Sequence, residues 1–191
     1  NEVEDNLTHK RVRQIKLYFN KTQKKYMNQI IGTYRYYYNR AVSVLNNYNK
    51  HTQKSWYLVD PKDQSSKITI SVDNIYSYIT LRPIIKKNPP KWLLKKFPSH
   101  LIDQAIIECI NRFKTAINTC KKYGKSFEFG YKKKTKIIQT INLEGAMIKP
   151  QKNTLFPNWK IDKKYIFRNI KTAEKLDNYK ASGCSISYHT V

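Results

Sequence analysis

Apolar and polar residues alternate from 11 to 19, with Ile15, Leu17 and Phe19 on one face and Gln14, Lys16 and Tyr18 on the other. That is strand spacing. From about residue 22 to 48 the period becomes helical. Tyr26, Ile30, Ile31, Tyr34, Tyr37, Tyr38, Ala41, Val42 and Leu45 recur three and four apart, a stripe wide enough to face a core. Residues 49–70 read as an irregular connection. Ser71 offers an N-cap to a short helix expected over 72–81, and Pro83, Pro89 and Pro90 break the chain after it. A third helix is expected from Pro98-Ser99, burying Leu101, Ile102, Ala105, Ile106, Cys109, Ile110, Phe113, Ile117 and Cys120. After Tyr123-Gly124, short runs at 137–141, 147–148, 165–170 and 185–191 predict strands separated by turns.

One strand before the helices and several after them predict an α+β fold: a small β-barrel, oligonucleotide-binding-like, interrupted by a three-helix bundle. The implied division is a disordered tail over 1–9, a split barrel from 10–20 plus 123–191, and a helical domain over 21–122. The sequence stops at Val191 inside an alternating run and opens on Asn1, which predicts a piece of a longer protein.

Charge sharpens this picture. Lys and Arg number 37 against 13 Asp and Glu, a formal charge of +24, which would self-repel unless a polyanion neutralised it. Nucleic acid is the partner that charge and aromatic content together favour. A membrane is not expected, because no apolar run approaches the roughly 20 residues of a span. Cys109, Cys120 and Cys184 are odd in number and form no Cys-x-x-Cys pair. Two of them lie on an apolar helix face, so buried thiols in a reducing intracellular compartment are expected rather than metal ligands.

Two stretches carry a more specific signal. The first runs Ile15-Lys16-Leu17-Tyr18, then Thr22-Gln23-Lys24-Lys25, then Gly32-Thr33-Tyr34-Arg35-Tyr36-Tyr37-Tyr38-Asn39. The second runs Trp92-Leu93, Phe97-Pro98-Ser99-His100-Leu101-Ile102-Asp103-Gln104-Ala105, Arg112-Phe113-Lys114 and Gly124-Lys125. In this order they resemble the N-terminal part of the TnpB/OrfB family of transposon-encoded, RNA-guided DNA nucleases, whose eukaryotic and viral relatives are the Fanzor proteins. Phe19 stands where that family usually has Pro. The resemblance implies a wedge-like barrel split by a recognition lobe that binds guide RNA and target DNA and reads a short DNA motif beside the target. It implies a RuvC-like nuclease domain beyond residue 191, with Mg2+ at its centre and a Zn2+-binding insert. For a eukaryotic or viral member it also implies the nucleus or the cytoplasm of a virus-infected cell. Within these residues neither a catalytic constellation nor a metal-ligand set is visible, and no cofactor is expected.

The resemblance also implies motif readers at the starts of the second and third helices, which singles out Asn74, Ser99 and Asp103, with His100 and Gln104 beside them. Ser99 reads equally as a plain N-cap and Asn74 as a solvated helix residue. Backbone contacts are expected from Arg13, Lys16, Arg35, Arg40, Arg112, Lys132, Lys133 and Lys134. Tyr34, Phe127 and Tyr131 are the stacking candidates, although packing is the default role of the helical tyrosines. A structural RNA-binding module, or a protein that recognises transposon-end DNA without a guide, fits the same composition.

Overall fold

The computed structural model describes residues 13–51, 55–60, 63–71, 75–93, 97–123, 129–176 and 183–189. The expected tail over 1–9 lies outside them. A short strand, β1 (Leu17–Tyr18), leads into the helix α1 (Lys21–His51). The entry to α1 is fixed by a capping box. Asn20 Oδ1 accepts from the Gln23 N–H at 2.8 Å, and Gln23 Oε1 accepts from the Asn20 N–H at 3.0 Å. The helix buries Ile30, Ile31, Tyr34, Tyr37, Tyr38, Ala41, Val42 and Leu45, as its stripe predicts, and Met27 besides, whereas Tyr26 is half-buried.

Two expectations about the next segment fail. Residues 49–70 are not an irregular connection. The described residues among them finish α1 and then form two antiparallel strands, β2 (Ser55–Asp60) and β3 (Asp63–Ser71), paired from Ser55↔Ser71 to Asp60↔Asp63. Trp56-Tyr57-Leu58 and Ile68-Thr69-Ile70 are β-formers by composition, and the polar residues between them hid the pairing. The second helix, α2 (Tyr78–Lys86), starts after Ser77 rather than after Ser71, which ends β3. Pro83 sits inside α2 instead of ending it. An interior proline costs about 3 kcal/mol, and burial of Leu81, Ile84 and Ile85 offsets that. The third helix, α3 (Ser99–Tyr123), starts where expected and buries Leu101, Ile102, Ala105, Ile106, Cys109, Ile110 and Phe113 against α1 and α2.

The remainder is a set of short antiparallel ladders. β4 (Ile138–Glu144) pairs along its whole length with β8 (Gly183–His189), and β5 (Ile148–Lys149) pairs with β6 (Thr154–Leu155). β1 pairs with β7 (Lys171–Thr172), so the strand before the helices joins one far along the chain. The fold is thus mixed helix and sheet, and among the described residues these ladders do not close into a barrel. Residues 165–170 are not a strand, contrary to expectation. They form a loop held over β6 by Leu155 N–H to the Phe167 carbonyl and Ile170 N–H to the Asn153 carbonyl, both at 2.9 Å. Gln23 extends its capping role here, donating Nε2 to the carbonyls of Ile166 and Arg168. Phe19, Phe156 and Trp159 close around Phe167, with ring centroids 5.4–5.9 Å from it.

Candidate nucleic-acid interface

Electrostatics first separates inward from outward groups. α1 carries six basic side chains and no Asp or Glu along its whole length, and α2 has none either. The carboxylates of α3 are Asp103 and Glu108. Asp103 is paired with Arg82 of α2, and Glu108 with Lys132 at 2.8 Å. The acidic groups of the bundle are therefore engaged internally, and its outer surface carries cations.

Glu108 is the centre of a sequestered cluster. Its carboxylate accepts from Lys132 Nζ and from the Tyr34 hydroxyl, each at 2.8 Å, and lies 3.8 Å from Arg112. Lys132 Nζ also stands 5.0 Å from the Tyr34 ring centroid and 4.5 Å from that of Tyr38. Burial lowers the Lys132 pKa from its ordinary value, while Glu108 opposes that shift. Tyr34 and Tyr38 are both raised, mainly by burial. The Cys109 thiol is pushed up to about 12 by the same cause, which makes it an inert packing group.

Two expected contacts change role for this reason. Tyr34 is only 1% exposed, so it offers no face to a base, and it is a core residue rather than a stacking platform. The Lys132 ammonium neutralises Glu108 rather than facing outward. Arg112 is intermediate. It donates to the Tyr38 hydroxyl at 2.9 Å and lies over the Phe129 ring, yet its side chain stays largely exposed.

The extended segment from Phe129 to Lys132 is fastened to α1 by two asparagines. Asn46 Oδ1 accepts from the Phe129 N–H and Asn46 Nδ2 donates to the Phe129 carbonyl, at 2.9 and 2.8 Å. Asn39 repeats the arrangement on Lys132, at 2.8 and 2.9 Å. Seven helical residues rise about 10.5 Å and three extended residues span about 10 Å, so the spacings match. Sequence reasoning missed both clamps, and the i, i+7 asparagines beside the aromatic stripe were the available signal. Asn46→Ala is expected to lower stability by about 1–3 kcal/mol by removing both hydrogen bonds to the Phe129 backbone, measurable by urea unfolding against wild type. The clamps present Tyr131, 52% exposed, and the exposed Lys133 and Lys134.

Arg35 lies on α1 beneath that basic turn. Its guanidinium is half-buried and meets the Gln139 amide oxygen at 3.5 Å. No carboxylate pairs with it among the described residues. Burial lowers its pKa from the ordinary value. Gln139 is fixed by donating to the carbonyls of Lys133 and Lys136. A partly desolvated cation facing only a neutral amide is poised for an anion.

The other expected contacts are dispersed. Arg40 donates to the Tyr36 hydroxyl at 2.9 Å. Lys16 lies 5.3 Å over the Tyr18 ring, and Arg13 pairs with Glu174 at 2.6 Å. At the head of α3, Ser99 is exposed. His100 Nδ1 lies 3.3 Å from Glu144, and Gln104 Nε2 donates to the same carboxylate at 2.6 Å. Glu144 thus draws two expected readers together, while Asp103 turns to Arg82. Asn74 and Phe127 lie outside the described residues. A second basic patch escaped sequence reasoning. Arg168 is 3.4 Å from the Tyr165 ring centroid and Lys160 is 4.6 Å from it, at a turn where Asp162 and Lys163 take positive φ.

Comparison with known proteins bears on part of this chain. Residues 9–54 match a family model described as a helix-turn-helix domain, HTH_OrfB_IS605. The match supports an OrfB-type transposase N-terminal domain over roughly a quarter of the sequence. Its described residues hold β1 and one uninterrupted helix, α1. No curated protein matches the chain. Among the described residues, no three His, Cys, Asp or Glu side chains gather as a metal site, and no helix is long and apolar enough to cross a membrane.

Proposed function

We propose that this chain is the guide-RNA and target-DNA binding N-terminal lobe of an RNA-guided DNA endonuclease. The observation that carries the reading is Arg35: a half-buried guanidinium with no carboxylate partner among the described residues, on an acid-free helix, under the exposed Lys133–Lys134 turn. The match of residues 9–54 supports DNA binding, and the resemblance of the Phe97–Ala105 stretch to the family's pattern supports the finer reading. In this reading Arg35, Arg40, Lys133 and Lys134 hold phosphates, with Arg13, Lys16 and Arg112 contributing from the margins. Ser99, His100, Asp103 and Gln104 read the flanking DNA motif. The last three must then exchange Glu144 and Arg82 for base edges. The nuclease domain and its metals belong to the part of the family pattern that follows these residues.

The helix-turn-helix description favours a second reading, direct recognition of transposon-end DNA without a guide. One experiment separates the two. Full-length protein is purified with and without ribonuclease, and binding to a guide–target hybrid and to duplex DNA is followed against salt. The guided reading expects ribonuclease to abolish sequence-directed DNA binding, and expects a log–log salt slope near −5 if about six phosphates are neutralised. Arg35→Ala should weaken the hybrid complex about tenfold, as loss of one charge-assisted contact implies. Duplex binding that survives ribonuclease supports the second reading, and a flat salt response contradicts both.

A further inference from the structure

Trp92 is 65% exposed in the connector between α2 and α3, although tryptophan is among the side chains water disfavours most. It is not loose. The Tyr36 ring meets it edge-on at 5.5 Å and 88°, and Tyr36 is braced in turn against Tyr37 at 5.2 Å and 77°. Tyr37 is buried and packs on Phe97. The Tyr36 hydroxyl accepts from Arg40, which places a guanidinium at the hydroxyl end of the supporting ring. Only one of that guanidinium's five N–H groups is used in this bond. Every ionisable side chain from Arg82 to Lys96 is basic, and α1 beneath is free of acids.

We propose that Trp92, supported by Tyr36 and flanked by Arg40, is a stacking site for an unpaired nucleobase of single-stranded nucleic acid, with Arg40 taking the adjoining phosphate. An exposed, braced indole with a cation held on its supporting ring suits a flat aromatic group carrying a negative linker. A base inside a duplex has both faces covered by its neighbours and cannot use such a site. A protein partner would meet several lysines with no acid on α1 or in residues 82–96 to balance them, so charge complementarity favours the polyanion.

This inference rests on the nucleic-acid reading above, and its test keeps the two apart. Affinities of wild type, Trp92→Ala, Trp92→Phe and Arg35→Ala are compared on a fluorescein-labelled oligothymidylate and on a hairpin duplex, at one salt concentration. Trp92→Ala should lose about 10- to 100-fold on oligothymidylate and almost nothing on the duplex. Trp92→Phe should keep most of the affinity, and melting temperatures should be unchanged because the indole is outside the core. Equal losses on both ligands, or none on the single strand, overturn the stacking site. Wild type that binds duplex but ignores oligothymidylate overturns it while leaving the proposed function standing. Wild type that binds neither overturns both.

Discussion

Glu108→Ala is expected to destabilise the protein by about 3–5 kcal/mol, the cost of leaving a buried cation without its partner. Lys132 is the cation left behind. Its side chain is 18% exposed and its ammonium lies among Tyr34, Tyr38 and Glu108. The Tyr34 hydroxyl would lose its acceptor in the same step. The Asn39 clamp on Lys132 would not protect the fold, since the clamp holds backbone and the strain falls on the side chain. The double variant Glu108→Ala/Lys132→Met should recover most of the loss, because it removes both charges and retains an apolar stem. Chemical unfolding of the three proteins checks this. A single variant as stable as wild type would show that water reaches the pair and that the cluster is not sequestered.

Alkaline unfolding is the second large effect. Tyr34 and Tyr38 are essentially unexposed and hold their protons more tightly when folded than their ordinary value of 10.0. Cys109 behaves alike, moving from 9.0 to about 12. A group raised on folding leaves stability intact below its unfolded pKa and removes it as pH rises beyond that value. Cys109 therefore begins to cost stability above pH 9, and the two tyrosines above pH 10. Each contributes about 1.4 kcal/mol per pH unit over its window. Lys132 is lowered by burial and acts in the opposite sense, adding stability as pH rises through its folded pKa towards 10.5. Three groups outweigh one above that point. Melting temperature followed from pH 8 to 11 should fall steeply past 10, and Tyr34→Phe should flatten the fall whatever it does to absolute stability. A level profile across that range would contradict the burial of these protons.

The helical half was legible wherever the apolar period was long. The stripes of α1 and α3 name most of the residues that are buried, although Tyr26 and Ile117 are only half-buried and Met27 was missed, and Ser99 opens α3 as expected. α2 was misplaced because Ser71 and Ser77 are equivalent as local signals, and only the strand ending at Ser71 decides between them. Pro83 reads as a stop because the cost of an interior proline is local, whereas the burial that offsets it is tertiary. Lys132 could not be told from Lys133 and Lys134 by sequence. The extended path fixed by Asn39 and Asn46 turns the first inward and leaves the others outside. Tyr34 was ambiguous for the same reason, since an aromatic on a helix serves a core or a base according to what packs over it. Arg35 stood out in the sequence because it is embedded in an aromatic helix, but the neutral amide it faces comes from β4, which helical spacing does not reveal.

The pairing of Leu17 with Thr172 also orders events on the ribosome. At about 5–20 residues per second, roughly 10–30 s of synthesis separate the two halves of that ladder. The three helices have their contacts among themselves well before then, so they should assemble first and the early strand should wait unpaired. Its shortness and the charged residues around it, Arg13 and Lys16, would limit chance pairing with other chains in the interval.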